Sequence, residues 1–427
     1  MSSLLESFQE AYRNLELLPL ITEKELNALR VEYGRDTIEE LEQLVEDSPS
    51  RNSKIIFSGH RGCGKSTLLA EFSRKLKPRY FVVFFSISDL IEMSDVNHIN
   101  ILFAIAVKLM EEAEAEQVKI KESIKNQFYQ WFKKQTKIEI EEVSAELSGG
   151  FNLFEWIKGR LKADAKVRME IKEEFARKIS ELVARINEIA AVIYQGTNRE
   201  ILVIIDDLDK LDLAVVREVY HAHIKALFQP NFHIVFTIPI SVLRDVNLKA
   251  VLITETNDQI VTLPVAKLFD RGTSHQENAR PNAQPTATLQ EIIDRRIAAE
   301  LFASDVKEQL IVYSGGVLRE LIRLSNECCR ICLRLIRRNP SDRDIKIDKD
   351  ILEQAIVKLR IDFSVPIGKA DYEILKQTYT NFQPDDPQEQ RFLDLLHGLY
   401  VLEYKNSVLW YDVHPLVVGL LEQRGVI

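Results

Sequence analysis

The run Gly59-His60-Arg61-Gly62-Cys63-Gly64-Lys65-Ser66-Thr67 concentrates residue types that can hold an anion. Gly59, Gly62 and Gly64 let the chain turn through conformations closed to other residues and aim successive backbone N–H groups at one point. The spacing Gly59-x-x-x-x-Gly64-Lys65-Ser66 is that of a phosphate-binding loop. Lys65 would set an ammonium on the β- and γ-phosphates of a nucleotide, and Ser66 would offer its hydroxyl to Mg²⁺, with Thr67 beside it. His60, Arg61 and Cys63 complete the loop and count with it as ligand-contacting positions. The flanks supply what such a loop needs. Ile55, Ile56 and Phe57 read as a strand, and Leu68, Leu69, Phe72 and Leu76 recur at helical spacing. A helix opening near Lys65 turns its positive dipole end toward the anion.

A bound metal needs a carboxylate, and "ILVIIDDLDKLD" offers one. Ile201 to Ile205 are unbroken apolar residues, as in a parallel strand buried on both faces. Asp206 and Asp207 follow at the C-terminal end, where ligands bind in open α/β sheets. Asp206 would hold Mg²⁺, and Asp207 would orient or deprotonate an attacking water. The same pair also fits an ordinary strand end. Asp209 and Asp212 read as surface or loop-capping residues.

Together, "GHRGCGKST" and "ILVIIDDLDK" resemble the additional-strand class of P-loop ATPases, the AAA+ proteins and their STAND and KAP relatives. Asp207 stands where most AAA+ proteins carry Glu, and "IIDDLDK" is most similar to the KAP and STAND forms. The resemblance implies an α/β fold with a parallel five-stranded sheet in the order 5-1-4-3-2. Strands read over 54–58, 79–86, 200–206, 232–238 and 259–264 supply that number. It implies ATP and Mg²⁺ as cofactors. It also gives Thr237, at the end of "HIVFTIPI", the place of a polar sensor of the attacking water or γ-phosphate. A strand-end threonine without such a role fits equally. Arg244, Lys249 and Arg271 are candidates for an arginine reaching a neighbouring subunit.

Residues 279–290, "ARPNAQPTATLQ", read as a loop ending at a Thr286 or Thr288 helix cap, followed by a helical lid over 286–364. Within it Gly315 and Gly316 precede Arg319. The resemblance makes Arg319 a second sensor, a planar, permanently charged fork suited to phosphate oxygens. Cys328, Cys329 and Cys332 lack the partners of a four-ligand metal site and read as buried thiols. Cys63 is expected to have a lowered pKa, beside Lys65 and a helix N-terminus, and to be open to oxidation.

Many more residues separate Lys65 from Asp206 than a minimal core requires, so an insertion is expected at about 98–198. KAP proteins also insert here, usually with membrane spans, but this stretch contains none. Phe175, Ile179, Leu182, Ile186, Ile189 and Ile193 alternate at four and three residues, a coiled-coil-like seam. "FYQWFKKQTK" mixes Phe128, Tyr129, Trp131 and Phe132 with Lys133, Lys134 and Lys137. That mixture suits base stacking, or a helix with a core face and a solvated face. Residues 1–52 are acidic and helical in pattern, and nothing there reads as a secretory leader.

After 365 the chain reads helix, helix, a hairpin turning at Lys405-Asn406, and a helix from Pro415, which resembles a winged helix. From 384 to 427 it carries seven acidic and three basic residues, a poor composition for DNA phosphates. The whole chain has a formal net charge of −9 and four cysteines in 427 residues. A reducing, cytoplasmic setting is expected, with no disulfide framework. These features imply an ATP-binding, ATP-hydrolysing switch whose nucleotide state controls self-assembly or a protein partner, through the insertion or the tail. The alternative is an ATPase that handles nucleic acid, and a small-molecule kinase is a third class.

Overall fold

The computed structural model describes residues 3–49, 51–136, 153–365, 367–405 and 408–427. Lys137 and the hairpin turn at 406–407 lie outside them.

Five short apolar runs form one parallel sheet: β1 (Lys54–Gly59), β2 (Tyr80–Ser86), β3 (Glu200–Asp206), β4 (His233–Pro239) and β5 (Ile260–Leu263). Their spatial order is β2-β3-β4-β1-β5, which is the expected 5-1-4-3-2 read from the other edge. Alternation along each strand divides two cores. Ile55, Phe57, Val82, Leu202, Ile204 and Val235 face helices Arg35–Glu46 and Lys65–Leu76, while Ile56, Phe81, Val83, Val203, Ile205 and Phe236 face the opposite way.

The insertion supplies that opposite face. Helix His98–Ala115, capped by Asn97 through its Ile99 and Asn100 N–H groups, is apolar almost all round and buried accordingly. Helix Ile179–Thr197 packs along it. The expected seam is therefore internal to the chain. It is also not continuous: one helix ends at Phe175 and the next starts at Ile179. In "FYQWFKKQTK" the core face prevails. Phe128 and Phe132 are fully buried, and Phe132 meets Phe154 edge-on with ring centroids 5.5 Å apart. Among the described residues no helix is long and apolar enough to cross a membrane.

Past β5 the chain leaves the sheet. Helix Ala283–Asp294 starts after Asn282, so Thr286 and Thr288 lie inside the helix and cap nothing. Their hydroxyls instead donate back to the Asn282 and Gln284 carbonyls. Helix Leu318–Arg338 packs against the N-terminal helix Leu4–Asn14 and against Lys349–Ser364. Cys328, Cys329 and Cys332 are buried in it, free and without a metal-ligand partner set among the described residues. Helices Lys369–Asn381 and Gln390–His397, antiparallel β6 (Val401–Lys405) and β7 (Leu409–Val413), and helix Pro415–Gln423 close the chain.

Gly316 fixes how helix Leu318–Arg338 leaves the core. It sits at φ +81°, and a Cβ there would lie 2.0 Å from the Ala266 carbonyl oxygen. Gly316→Ala is therefore expected to cost roughly 2–4 kcal/mol through left-handed strain and backbone collision, lowering Tm by several degrees. Calorimetric melting checks this, and an unchanged Tm contradicts it.

Candidate functional site: a phosphate cradle bolted to the C-terminal segment

Gly59 ends β1 beside β4 and β5, so the loop after it emerges at the C-terminal edge of the sheet's centre. Gly62 takes φ +79°, and a Cβ there would come within 2.5 Å of Arg319 Cβ. Only glycine lets loop and lid helix touch, and the Arg319 N–H seals the contact by donating to the Gly62 carbonyl at 2.9 Å. Helix Lys65–Leu76 then begins at Gly64.

Lys65 is almost fully buried, and each of its three ammonium donors has an acceptor. Gly59 O lies at 2.9 Å, His60 O at 2.8 Å and the Asp209 carboxylate at 2.8 Å. Burial disfavours the ammonium, but Asp209, together with Cys63 and Asp206, raises the pKa above the usual lysine value. Asp209, expected at the surface, is thus inside the site. The strand-end pattern singled out the adjacent pair, whereas a short 3-10 turn over Leu208–Lys210 carries the third aspartate back over the loop.

Asp206 accepts from the Asp207 N–H at 2.8 Å and from the Ser66 hydroxyl, so the two predicted metal ligands are brought together. Burial, then Asp209 and Asp207, push its pKa up to about 6. Asp206, Asp207 and Asp209 can bring ligand oxygens within 4.8 Å of one another, which fits a divalent cation. Asp207 is differently placed. Its φ is +69°, and its carboxylate accepts from Ser86 at 2.7 Å and Ser88 at 3.0 Å while pairing with Lys210 at 2.6 Å. Burial would raise its pKa, but these partners hold it below the usual value. It can orient a water but is a weak proton acceptor.

Thr237 is fully buried at the end of β4. Its buried hydroxyl donates to Ile205 O at 3.2 Å and accepts from Leu208 N–H at 3.0 Å, pinning the turn that carries the aspartates. Cys63 departs from the expected lowered pKa: it is fully buried, and burial outweighs Lys65 and raises its pKa. The Thr67 hydroxyl accepts from Leu20 N–H at 3.0 Å, which straps the N-terminal segment across the helix. Arg244 points inward to Glu403, Arg271 donates to Asn381 O, and Lys249 is exposed.

The cradle opens into a cavity of about 220 Å³ whose lining combines Arg61, Lys65, Asp209 and Arg319 with Leu18, Val31, Ile292 and Ile322. Its cationic groups suit a polyphosphate, and its apolar ones suit a planar base. The apolar part of the lining could not be assigned residue by residue from sequence, because it is gathered from the N-terminal segment and helices Ala283–Asp294 and Leu318–Arg338.

The loop's remaining side chains run backwards. His60 Nε2 accepts from the Glu403 N–H at 2.8 Å, and Arg61 donates to Lys210 O at 2.8 Å and to His397 Nε2 at 2.9 Å. Burial, reinforced by Lys65 and Arg244, lowers the His60 pKa to about 3. Burial and Arg61 lower that of His397 to about 4. Both imidazoles stay neutral acceptors.

Residues 35–244, just under half of the chain, match the KAP family P-loop domain. No curated protein is significantly similar in sequence. Among solved structures, the chain is similar to Cdc6p from Pyrobaculum aerophilum, with 10% identity over 97% of each chain and a TM-score of 0.41. It is also similar to the RuvB Holliday junction branch migration motor of Thermotoga maritima, at 15% identity, 95% and 99% coverage and 0.38. A third is the Orc1 protein of Aeropyrum pernix in complex with DNA, at 10%, 95% and 96%, and 0.40. Likeness at this level carries no information on this chain's ligands.

The neutral histidines set a pH dependence. An unfolded imidazole takes a proton near pH 6.5, whereas folded His397 does so only near 4. Its stabilising contribution is whole above about 6.5 and is lost as pH falls toward 4, by about 1.4 kcal/mol per pH unit. Asp206, with its raised pKa, works in the opposite sense. The comparison must therefore isolate one group. His397→Gln is expected to lose less stability than wild type between pH 7 and 5 in urea unfolding, and parallel losses contradict the assignment.

Proposed function

Taking residues 35–244 as a P-loop NTPase domain of the KAP type, we propose that the chain binds and hydrolyses ATP with Mg²⁺ and uses the nucleotide state to set its C-terminal segment. Lys65 and Arg319 hold the outer phosphates, Ser66 and Asp206 hold the metal, and Asp207 orients the water. Mg²⁺ supplies charge neutralisation at the transferring phosphoryl group. Asp207, held by Ser86, Ser88 and Lys210, positions that water as an ionised acceptor.

The observation that carries the switch reading is the direct bonding of loop residues to the tail. His60 and Arg61 are neighbours of Lys65 in the cradle, yet their side chains end on β6 and on helix Gln390–His397. A polyphosphate drawing the Arg61 guanidinium forward competes with the His397 contact. The loop then cannot change its ligand without changing its grip on the tail. We take the tail as the element that presents or withdraws an assembly or partner surface. A nucleic-acid-handling role gains no support from the buried aromatics or the acidic tail.

Lys65→Ala is expected to weaken Mg²⁺-ATP binding by at least about 100-fold in calorimetry. Arg319→Ala is expected to keep ADP affinity within about threefold while losing most of the preference for ATP. Hydrogen exchange over 390–423 should differ between the ADP complex and that of a non-hydrolysable triphosphate. Light scattering with each nucleotide, with and without duplex DNA, reads assembly. Identical exchange in both nucleotide states overturns the switch, and no binding of either nucleotide overturns the whole reading.

A further inference from the structure

Resting on the nucleotide-binding reading above, we propose that Asp209 is a specificity-determining residue that makes polyphosphate binding depend on a divalent cation, by occupying Lys65 until a metal-bound anion replaces it.

The argument is one of donors and burial. Lys65 has three N–H donors, two of them committed to Gly59 O and His60 O. The third is on Asp209 Oδ2 at 2.8 Å, and the two side chains are only 4% and 6% exposed. A phosphate oxygen reaching Lys65 takes the donor that Asp209 holds. The freed carboxylate then stands beside Asp206 and Asp207, away from bulk water. Asp207 is already matched by Lys210, Ser86 and Ser88, whereas Asp206 accepts from the Ser66 hydroxyl and one backbone N–H and shares the Lys65 charge with Asp209. Arg61, whose charge reaches Asp209, spends one Nη on Lys210 O and His397 Nε2, while its buried Nε has no partner among the described residues.

A buried carboxylate stripped of its partner is strongly destabilising. A metal-free anion therefore gains Lys65 and leaves that penalty behind. An anion arriving with a divalent cation brings the charge that Asp209 and Asp206 lack. The turn Leu208–Lys210 is short and its Leu208 N–H is tied to Thr237, so Asp209 has little freedom to withdraw. The ion pair is thus a filter. It turns away inorganic anions and uncomplexed nucleotide, and yields to metal-bound triphosphate.

The test measures ATP affinity of the full chain in Mg²⁺ and in EDTA, for wild type and Asp209→Asn, with inorganic tripolyphosphate as a base-free probe. Wild type is expected to bind ATP at least about 100-fold more weakly in EDTA than in Mg²⁺. Asp209→Asn should bind both probes in EDTA at least about tenfold more tightly than wild type, with the Mg²⁺ ratio shrinking to match. Asp209→Glu, which keeps the charge, should resemble wild type. If Asp209→Asn binds in EDTA no better than wild type, with its fold intact by circular dichroism, the proposal is wrong. A wild-type ratio near one overturns it without any variant. Absence of wild-type binding even in Mg²⁺ removes the nucleotide reading itself and this inference with it, an outcome distinct from tight but metal-independent binding.

Discussion

A single ammonium group inside the protein governs the layout of this chain. Lys65 cannot be buried as a cation unless acceptors converge on it. Two come from its own loop, at Gly59 and His60, and the third from Asp209 on the turn after β3. The loop must therefore curl back on itself, and β3 must end beside β1's exit with its turn directed inward. The hydroxyl of Thr237, one strand over, fixes that turn from behind. A group that replaces Asp209 on Lys65 must accept the ammonium's third donor and fit where the carboxylate now lies.

The back of the loop is equally constrained. Arg244, at the end of the β4 turn, donates through Nε and Nη2 to the buried Glu403 carboxylate, whose backbone N–H in turn reaches His60. Gly315 and Gly316 bring the lid helix to Arg319 beside Gly62, and Tyr404 donates to Gly315 O at 2.9 Å. The tail is thus joined both to the loop and to the turn before helix Leu318–Arg338. A paired bidentate Arg–Glu contact of this kind holds only while both partners stay in register.

How much of this was legible beforehand depends on whether the information is local. Strands were legible because unbroken apolar runs such as Ile201–Ile205 read directly as buried parallel strands, and the cradle because its glycines and lysine are contiguous. Asp209 was misplaced because its burial is decided by a fold-back that local pattern does not encode. Cys63 was misjudged because adjacency to Lys65 was weighed and full burial could not be. The lid cap failed because Asn282 and Thr286 are comparable cap residues, and tertiary contact of Asn282 N with Leu268 O chose between them. The wall of the cavity formed by Leu18 and Val31 required knowing that Leu20 ties to Thr67.

The insertion illustrates the difference between position in sequence and place in the fold. It interrupts the two phosphate-site motifs, yet helix His98–Ala115 buries nearly every face against β2 and its own neighbours. Excising it would uncover Phe81 and Val83 of β2, together with Ile201, Val203 and Ile205 of β3, which belong to the same core. Lys77 and Arg199 pair with Glu112 and Glu116 at the end of that helix. The strand that carries Asp206 and Asp207 is thus held from one side by the insertion and from the other by helix Lys65–Leu76. The precision of a three-aspartate turn opposite a buried lysine rests on a strand unable to shift along its axis, and both faces of β3 must be packed for that to hold.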